Sequence, residues 1–298
     1  MKKKIIDEGF LSMLEGRDLQ IKRSMQGFFG GNRPSPFFGS STEFAEYREY
    51  VQGDDLRRLD TNLLARFDKL YTKQYVDERR LHHRIYIDAS RSMDWGSPSK
   101  APLALKLCAA LGYVAVRSCD RVSFFALREQ SCQDIALSIS GKDAFYRGVN
   151  ALNNVKFYGD FRPAGAIASR EDVGSNDGLA ILISDFLNDG WQEVAEYLYS
   201  KKKQVQFIRI LSKDEIDPDL SGKVFLFDSE AEDEEDERNM KRRINRPMIK
   251  AYKEAFAFHE EQIKSFCAER EIGLLTLCSD EEIEKILFLK ATEGEVLK

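Results

Sequence analysis

Short apolar runs rich in β-branched residues recur along the chain from residue 81 onward, and this pattern constrains the fold most. Such runs, which predict strands, lie at 85–88, 121–127, 178–184, 205–211 and 272–278. Strands that are apolar along nearly their whole length are buried on both faces, as in a parallel sheet that helices cover. We therefore predict an α/β fold with a mostly parallel sheet and helices on both faces.

Helical periodicity separates most of these runs. It predicts helices over 102–119, 142–152, 163–170 and 191–199, a long helix over about 240–270, and a last one over 281–289. The acidic run at 228–237 precedes the long helix. Because like charges at that density repel, we expect a solvated surface loop there, with a contact for a basic partner as the alternative.

Residues 1–80 lack this alternation and predict an N-terminal extension of helix, loop and strands. A helix-like beginning leads into a loop rich in Gly and Pro at 27–41, a helix is predicted at 62–67, and 70–76 has strand composition. The predicted organisation is an extension at 1–80 followed by an α/β domain at 81–298.

Charge and apolar content limit the classes of partner. The chain of 298 residues has a net charge of −5 and a pI of about 5.5, which does not favour a nucleic-acid partner. No apolar run approaches the roughly 20 residues that span a bilayer, and Asp7 and Glu8 interrupt the start of a signal-peptide pattern. Five scattered cysteines predict reduced thiols. We expect a cytoplasmic protein that binds neither membrane nor nucleic acid.

Oxygen-bearing side chains follow two of the predicted strands. Asp88 ends one predicted strand, Ser90 and Ser92 follow it at alternating positions, and Asp185 follows another strand. The carboxyl ends of parallel strands meet at one edge of a sheet, and oxygen ligands suit a hard divalent cation such as magnesium. The pattern predicts a metal site there; the alternative is that the two serines cap the following helix.

The motif resembles that of von Willebrand factor A-type domains. Their metal-ion-dependent adhesion site combines a strand ending in Asp-x-Ser-x-Ser with a Thr from a second loop and an Asp from a third. Asp88, Ser90 and Ser92 match the first part and Asp185 matches the third. In the second loop, Asp160 or Phe161 stands where the family has Thr.

An upstream signature narrows the resemblance to the bacterial family known as domain of unknown function 58. The chain carries it as Glu43-Phe44, Arg48-Glu49-Tyr50, Gly53 to Asp60 and Ala65-Arg66, with Thr61 where the family usually has Trp. We expect its arginines and aspartates to form ion pairs that hold the extension against the sheet, with a direct functional role as the alternative. They are Arg48, Arg57, Arg58, Arg66, Asp54, Asp55 and Asp60.

The resemblance implies a Rossmann-like, von Willebrand factor A-like fold and a non-enzymatic role in protein–protein interaction. Serine hydroxyls would bind Mg²⁺, or Mn²⁺ or Ca²⁺, and an open coordination position would accept a carboxylate of the partner. The implied partner is a MoxR-type AAA ATPase, in protein maturation or complex assembly. An inward Asp160 would add a third carboxylate to Asp88 and Asp185. With Phe161 in that place a ligand is missing, and a metal-independent scaffold is the alternative.

The sequence lacks the catalytic motifs of the enzyme classes considered. A phosphatase of the haloacid-dehalogenase type needs an aspartate at position 90, where this chain has Ser90. No Gly-x-Ser-x-Gly elbow and no phosphate-binding Gly-x-x-x-x-Gly-Lys-Ser loop occurs in the sequence. We expect no enzymatic activity, and a phosphoester hydrolase is the least favoured interpretation.

Overall fold

The structure is a computed structural model, and it describes only part of the chain. The described residues are 5–6, 8–14, 44–67, 69–75, 81–168, 178–188, 190–201, 203–218, 222–226 and 240–287. The predicted loop at 27–41 and the acidic run at 228–237 lie outside them. In the described part, no helix has the length and apolar character needed to cross a membrane.

Strands and helices alternate along most of the described chain. The strands are β1 (Phe44–Glu49), β2 (Tyr71–Tyr75), β3 (His82–Asp88), β4 (Arg121–Arg128), β5 (Ser131–Ile139), β6 (Leu179–Ser184), β7 (Gln204–Leu211), β8 (Gly222–Leu226), β9 (Met240–Ile244) and β10 (Gly273–Cys278). The helices are α1 (Glu8–Met13), α2 (Thr61–Phe67), α3 (Ala101–Arg117), α4 (Lys142–Leu152), α5 (Pro163–Ala168), α6 (Trp191–Ser200), α7 (Lys213–Ile216), α8 (Arg246–Glu269) and α9 (Ile283–Lys285).

Contacts divide the chain into two compact units. One comprises residues 26–80, and the other comprises residues 1–25 together with 81–298. Within the predicted extension at 1–80, the first segment therefore groups with the larger unit. Apolar residues of that segment, Phe10 and Leu11 among them, belong to the same core cluster as the strands of the larger unit.

A six-stranded sheet forms the centre of the larger unit, in the order β10-β7-β6-β3-β4-β5. All neighbours are parallel except β4 and β5, which form an antiparallel pair. The predicted α/β class with a mostly parallel sheet is confirmed. The chain leaves β3 for β4 on one side and returns to β6 on the other, so the order reverses between β3 and β6. Ligands of open α/β sheets bind at the carboxyl ends of the strands at such a point.

Apolar clusters cover both faces of this sheet, which confirms the predicted layers. Because side chains alternate along a strand, Ile85 and Ile87 of β3 face one cluster and Tyr86 faces the other. The first cluster includes residues of α1, α3, α4 and α9, and the second includes residues of α5, α6 and α8. The sheet is therefore packed on both faces, and the loops at its carboxyl edge start from buried strand ends.

Two predicted helices differ from those observed. The segment predicted as a helix over 240–270 begins with strand β9, which pairs with β8, and the helix starts only at Arg246. Asn245 caps it by accepting a hydrogen bond from the Met248 amide, and a proline lies in its first turn. In the described part of the last predicted helix, residues 281–287, the α-helix is confined to Ile283–Lys285.

The smaller unit contains the upstream signature. Strands β1 and β2 pair antiparallel, and the sequence did not predict β1 inside its polar segment. Arg48 contacts the Asp54 carboxylate at 2.5 Å, and buried Asp60 accepts hydrogen bonds from Tyr47 and Lys73, each at 3.0 Å. Part of the predicted ion-pair network is therefore present inside this unit. Two of its expected members, Arg57 and Arg66, are exposed.

Candidate functional site

Asp88 lies at the carboxyl end of β3, where the strand order reverses. Its side chain is fully buried. The register pairs Ile87 with Ile183, which brings the end of β6 alongside: the Ser184 hydroxyl donates to Asp88 Oδ2 at 2.6 Å. The Ser90 amide donates to the other oxygen, Oδ1, at 2.9 Å. The carboxylate is thus held by one hydrogen bond from the end of β6 and one from the loop that follows β3.

The two motif serines lie directly beyond Asp88. Their hydroxyl oxygens are 2.9 Å apart; Ser90 is buried and Ser92 is half-buried. Ser90 precedes the short 3-10 turn Arg91–Asp94, yet its side chain makes no capping hydrogen bond to this described turn. The hydroxyls contact each other instead, which argues against the capping interpretation.

The spacing of these hydroxyls matches a metal-binding edge. Ligands at right angles around Mg²⁺, each about 2.0–2.1 Å from the ion, lie about 2.9 Å apart. The Ser90 and Ser92 oxygens have that separation, which is also the length of the hydrogen bond that they form with each other. Together with the buried carboxylate of Asp88 they form an oxygen set that fits a hard divalent cation.

Burial raises the pKa of Asp88 to about 7, and the negative charge of nearby Asp185 adds to the rise. The hydrogen bonds from Ser184 and Ser90 oppose the rise without cancelling it. Two carboxylates in so dry an environment favour a compensating positive charge, whether a proton or a cation.

Asp185, which follows β6, is also fully buried but already has a cationic partner. Its Oδ2 accepts a hydrogen bond from the Lys100 ammonium at 2.7 Å, and its Oδ1 accepts one from the Leu187 amide at 3.1 Å. Arg209 Nε donates to its backbone carbonyl at 3.1 Å. The prediction from sequence placed Asp185 correctly at this edge and missed the lysine.

Lys100 lies immediately before α3 and is fully buried. Its ammonium also contacts Glu215 Oε1 at 2.5 Å. Burial alone lowers the pKa of a lysine, but the carboxylates of Asp185 and Glu215 outweigh that effect, and the pKa of Lys100 is raised. No local pattern distinguishes this lysine in the sequence, because its partners are 85 and 115 residues away.

The second loop, around Tyr158 to Asp160, runs beside the first, which follows Asp88. The Tyr158 amide donates to the carbonyl of Ala89, and the Arg91 amide donates to the carbonyl of Gly159, both at 3.0 Å. Asp160 forms an ion pair with Arg162 at 3.2 Å. The adjacent Phe161 is buried in the apolar cluster on one face of the sheet.

Asp160 is not gathered with the other predicted acids. Among the described residues, no group of three or more His, Cys, Asp or Glu side chains is placed to hold a metal ion. The structure therefore does not form the three-carboxylate arrangement of Asp88, Asp160 and Asp185. Instead, the structure brings the Ser90 and Ser92 hydroxyls close to Asp88, and it pairs Asp185 with Lys100.

A family model with the description "Protein of unknown function DUF58" matches residues 46–262. The chain is also similar to two mycobacterial proteins, "Uncharacterized protein Rv1480" of Mycobacterium tuberculosis (strain ATCC 25618 / H37Rv) and "Uncharacterized protein Mb1516" of Mycobacterium bovis (strain ATCC BAA-935 / AF2122/97). Each is 24% identical over 238 residues, which cover 76% of this chain and 73% of the relative.

Solved structures with similarity include the conserved hypothetical protein BatB from Bacteroides thetaiotaomicron. It is 16% identical, with 72% of this chain and 98% of that chain covered and a TM-score of 0.42. A second is a von Willebrand factor type A protein from Catenulispora acidiphila. It is 16% identical, with 47% of this chain and 35% of that chain covered and a TM-score of 0.37.

Proposed function

Because this chain belongs to the family described as protein of unknown function DUF58, we propose that it is a non-enzymatic module that binds another protein through the carboxyl edge of its sheet. A von Willebrand factor A-like fold suggests a protein-interaction module. Docking at this edge is metal-dependent in our proposal. Ser90 and Ser92 would hold Mg²⁺, with Asp88 behind them, and the ion would supply a positive centre for a carboxylate of the partner.

The observation that carries this proposal is the hydroxyl pair beside a buried carboxylate. The two oxygens are 2.9 Å apart and come from the loop at which the strand order reverses. Neutral hydroxyl ligands leave more of the cation's charge available to a partner than carboxylate ligands do. Ser92 is half-buried, so that charge would be felt at the surface.

The proposed partner is a MoxR-type AAA ATPase, in protein maturation or complex assembly, and this part rests on the family resemblance. A metal-independent scaffold is the second candidate. The ion pairs of Asp185 with Lys100 and of Asp160 with Arg162 favour it, because each already supplies the carboxylate with a positive charge.

The test is direct binding of a purified MoxR-type ATPase from the native host at constant Mg²⁺. The ATPase uses Mg²⁺ itself, so a chelator would remove the ion from both proteins. Variants at the docking site instead test the ion's role in this protein alone. Ser92→Ala should weaken binding about tenfold or more, because loss of a metal ligand costs at least as much as loss of a supporting contact.

Ser200→Ala is the matched control. Ser200 is exposed, ends α6 and donates a hydrogen bond to the carbonyl of Tyr197, and this helix end leads into β7 at the amino edge of the sheet. The control should bind like the unmodified protein. Equal binding by Ser92→Ala would reject the metal-dependent docking and favour the scaffold.

A further inference from the structure

A lysine without any exposed surface at the proposed docking edge needs a physical reason. Lys100 and Asp185 are both fully buried, and the Glu215 side chain is 11% exposed. A buried charge is tolerated only when it is paired and hydrogen-bonded, and removal of one partner leaves a costly uncompensated charge. The ammonium meets that condition with two carboxylates, at 2.7 Å and 2.5 Å.

We infer that Lys100 is a resident cation of the docking edge: it neutralises Asp185 and holds the third loop in place, so that a divalent ion is needed only at Ser90 and Ser92. The second half of this inference rests on the proposed function. The first half concerns Lys100, Asp185 and Glu215 alone.

Lys100 connects three segments that come from distant parts of the sequence. It follows the first loop, Asp185 belongs to the third, and Glu215 lies in the first turn of α7. Glu215 is itself fixed there, since its side chain accepts a hydrogen bond from the Ser212 amide and its own amide donates to the Ser212 hydroxyl. The ammonium therefore meets carboxylates that are already positioned.

The residues just before Lys100 are held in place by two further contacts. Gly96 packs so closely against Ser212 that a Cβ at this glycine would lie 2.6 Å from the Ser212 Cβ. The Ser279 hydroxyl donates to the carbonyl of Pro98 at 2.8 Å. These contacts hold the segment that contains Gly96 and Pro98 independently of the ammonium. Substitution of the lysine therefore chiefly removes its charge.

Loss of that charge should make this edge respond more strongly to a divalent metal ion than it does in the unmodified protein. Without the ammonium, Asp185 and Glu215 are two like charges that converge on one position, and a divalent ion would relieve their repulsion. The ammonium lies 2.7 Å from the Asp185 carboxylate and disfavours a second cation beside it, so its removal should strengthen Mn²⁺ binding at that carboxylate roughly tenfold or more.

The experiment compares thermal unfolding and Mn²⁺ binding of the full chain with Lys100→Met and Lys203→Met. Lys203 is the matched control because it is also buried, at 1% exposure, but it precedes β7 at the opposite, amino edge. Mn²⁺ binding is measured by calorimetry, and the melting temperature is measured in Mn²⁺ and in EDTA.

We expect Mn²⁺ to raise the melting temperature of Lys100→Met more than that of the unmodified protein or Lys203→Met, and to bind the first variant more tightly. Equal Mn²⁺ responses in the two lysine variants would overturn the inference. If Lys100→Met does not fold, the double variant with Glu215→Gln decides. It leaves Asp185 as the one carboxylate that has lost its cation, so the Mn²⁺ response should be smaller than that of Lys100→Met would be but still larger than that of the unmodified protein.

Ser92→Ala separates this inference from the proposed function. Mn²⁺ binding that Ser92→Ala leaves unchanged would count against the metal site at the serines. An enhanced Mn²⁺ response of Lys100→Met would still support the role of Lys100 at Asp185. Conversely, if Mn²⁺ binding depends on Ser92 but not on Lys100, the result would support the metal site at the serines and reject the role inferred for Lys100.

Discussion

Replacement of Asp88 by Asn should stabilise the metal-free protein at neutral and alkaline pH. The rise in the pKa of Asp88 from 3.8 to about 7 means that the folded state retains a proton that the unfolded chain has lost. The free energy of unfolding therefore falls as the pH increases between these two values, and it stays low above the folded pKa. A rise of this size corresponds to about 4 kcal/mol as an order of magnitude. The side-chain amide of Asp88→Asn cannot ionise, so the variant should avoid this loss.

The assay is denaturant unfolding in EDTA at several pH values, followed by tryptophan fluorescence. Both tryptophans, Trp95 and Trp191, lie in the larger unit, so the signal reports the unit that contains Asp88. The quantity of interest is the stability of Asp88→Asn minus that of the unmodified protein, because other titrating groups cancel in this difference. It should be smallest near pH 4 and increase by a few kcal/mol towards pH 8.

The exposed acid Asp94 provides the control, since Asp94→Asn changes the same functional group in the adjacent turn. Because Asp94 is exposed, this variant shows what an acid-to-amide change at the surface does, and its stability difference at pH 8 should be smaller than that of Asp88→Asn. A constant offset for Asp88→Asn across the pH range would contradict this prediction. Such an offset would mean that Asp88 carries the same protonation in the folded and unfolded states.

Two further predictions concern packing and the upstream signature. Gly112→Ala should lower the melting temperature, at a cost of about 1–3 kcal/mol, because the new methyl would overlap the ring of Phe124. Gly165→Ala in α5 meets open space, and it should be neutral or stabilise by up to about 1 kcal/mol; unfolding curves that rank the two alike would contradict this. Arg48→Ala should speed hydrogen exchange in β1 and β2 by removing the Asp54 contact, whereas Arg57→Ala, at an exposed position, should not. Equal exchange in both variants would show that this contact does not stabilise the unit.

The meeting of Asp88 with the end of β6 could be predicted because it follows from a rule of sheet geometry. Apolar runs identified two parallel strands, and the ends of neighbouring parallel strands lie together. The hydrogen bond from the Ser184 hydroxyl to Asp88 shows that the ends of β3 and β6 do meet. The direction of Asp160 could not be predicted, because adjacent residues in an extended segment point to opposite sides. Phe161 is buried in the apolar cluster, so Asp160 points to the opposite side, where it forms an ion pair with Arg162.

Lys100 shows a different limit of sequence reasoning. A lysine at the start of a helix is ordinarily a solvated residue, and nothing around it in the sequence marks it as buried. Its environment is created by β6 and α7, which reach it only when the sheet is assembled. The strand β9 was missed for a related reason: pairing with β8 selects an extended conformation where local periodicity favoured a helix.

The most direct test of the docking site is a crystal structure of the protein grown in the presence of Mn²⁺, with anomalous diffraction to locate the ion. We predict one Mn²⁺ within coordination distance of the Ser90 and Ser92 hydroxyls, while the Lys100 ammonium remains on Asp185. Crystals in which Mn²⁺ is absent from these hydroxyls, or in which it displaces Lys100 from Asp185, would contradict it.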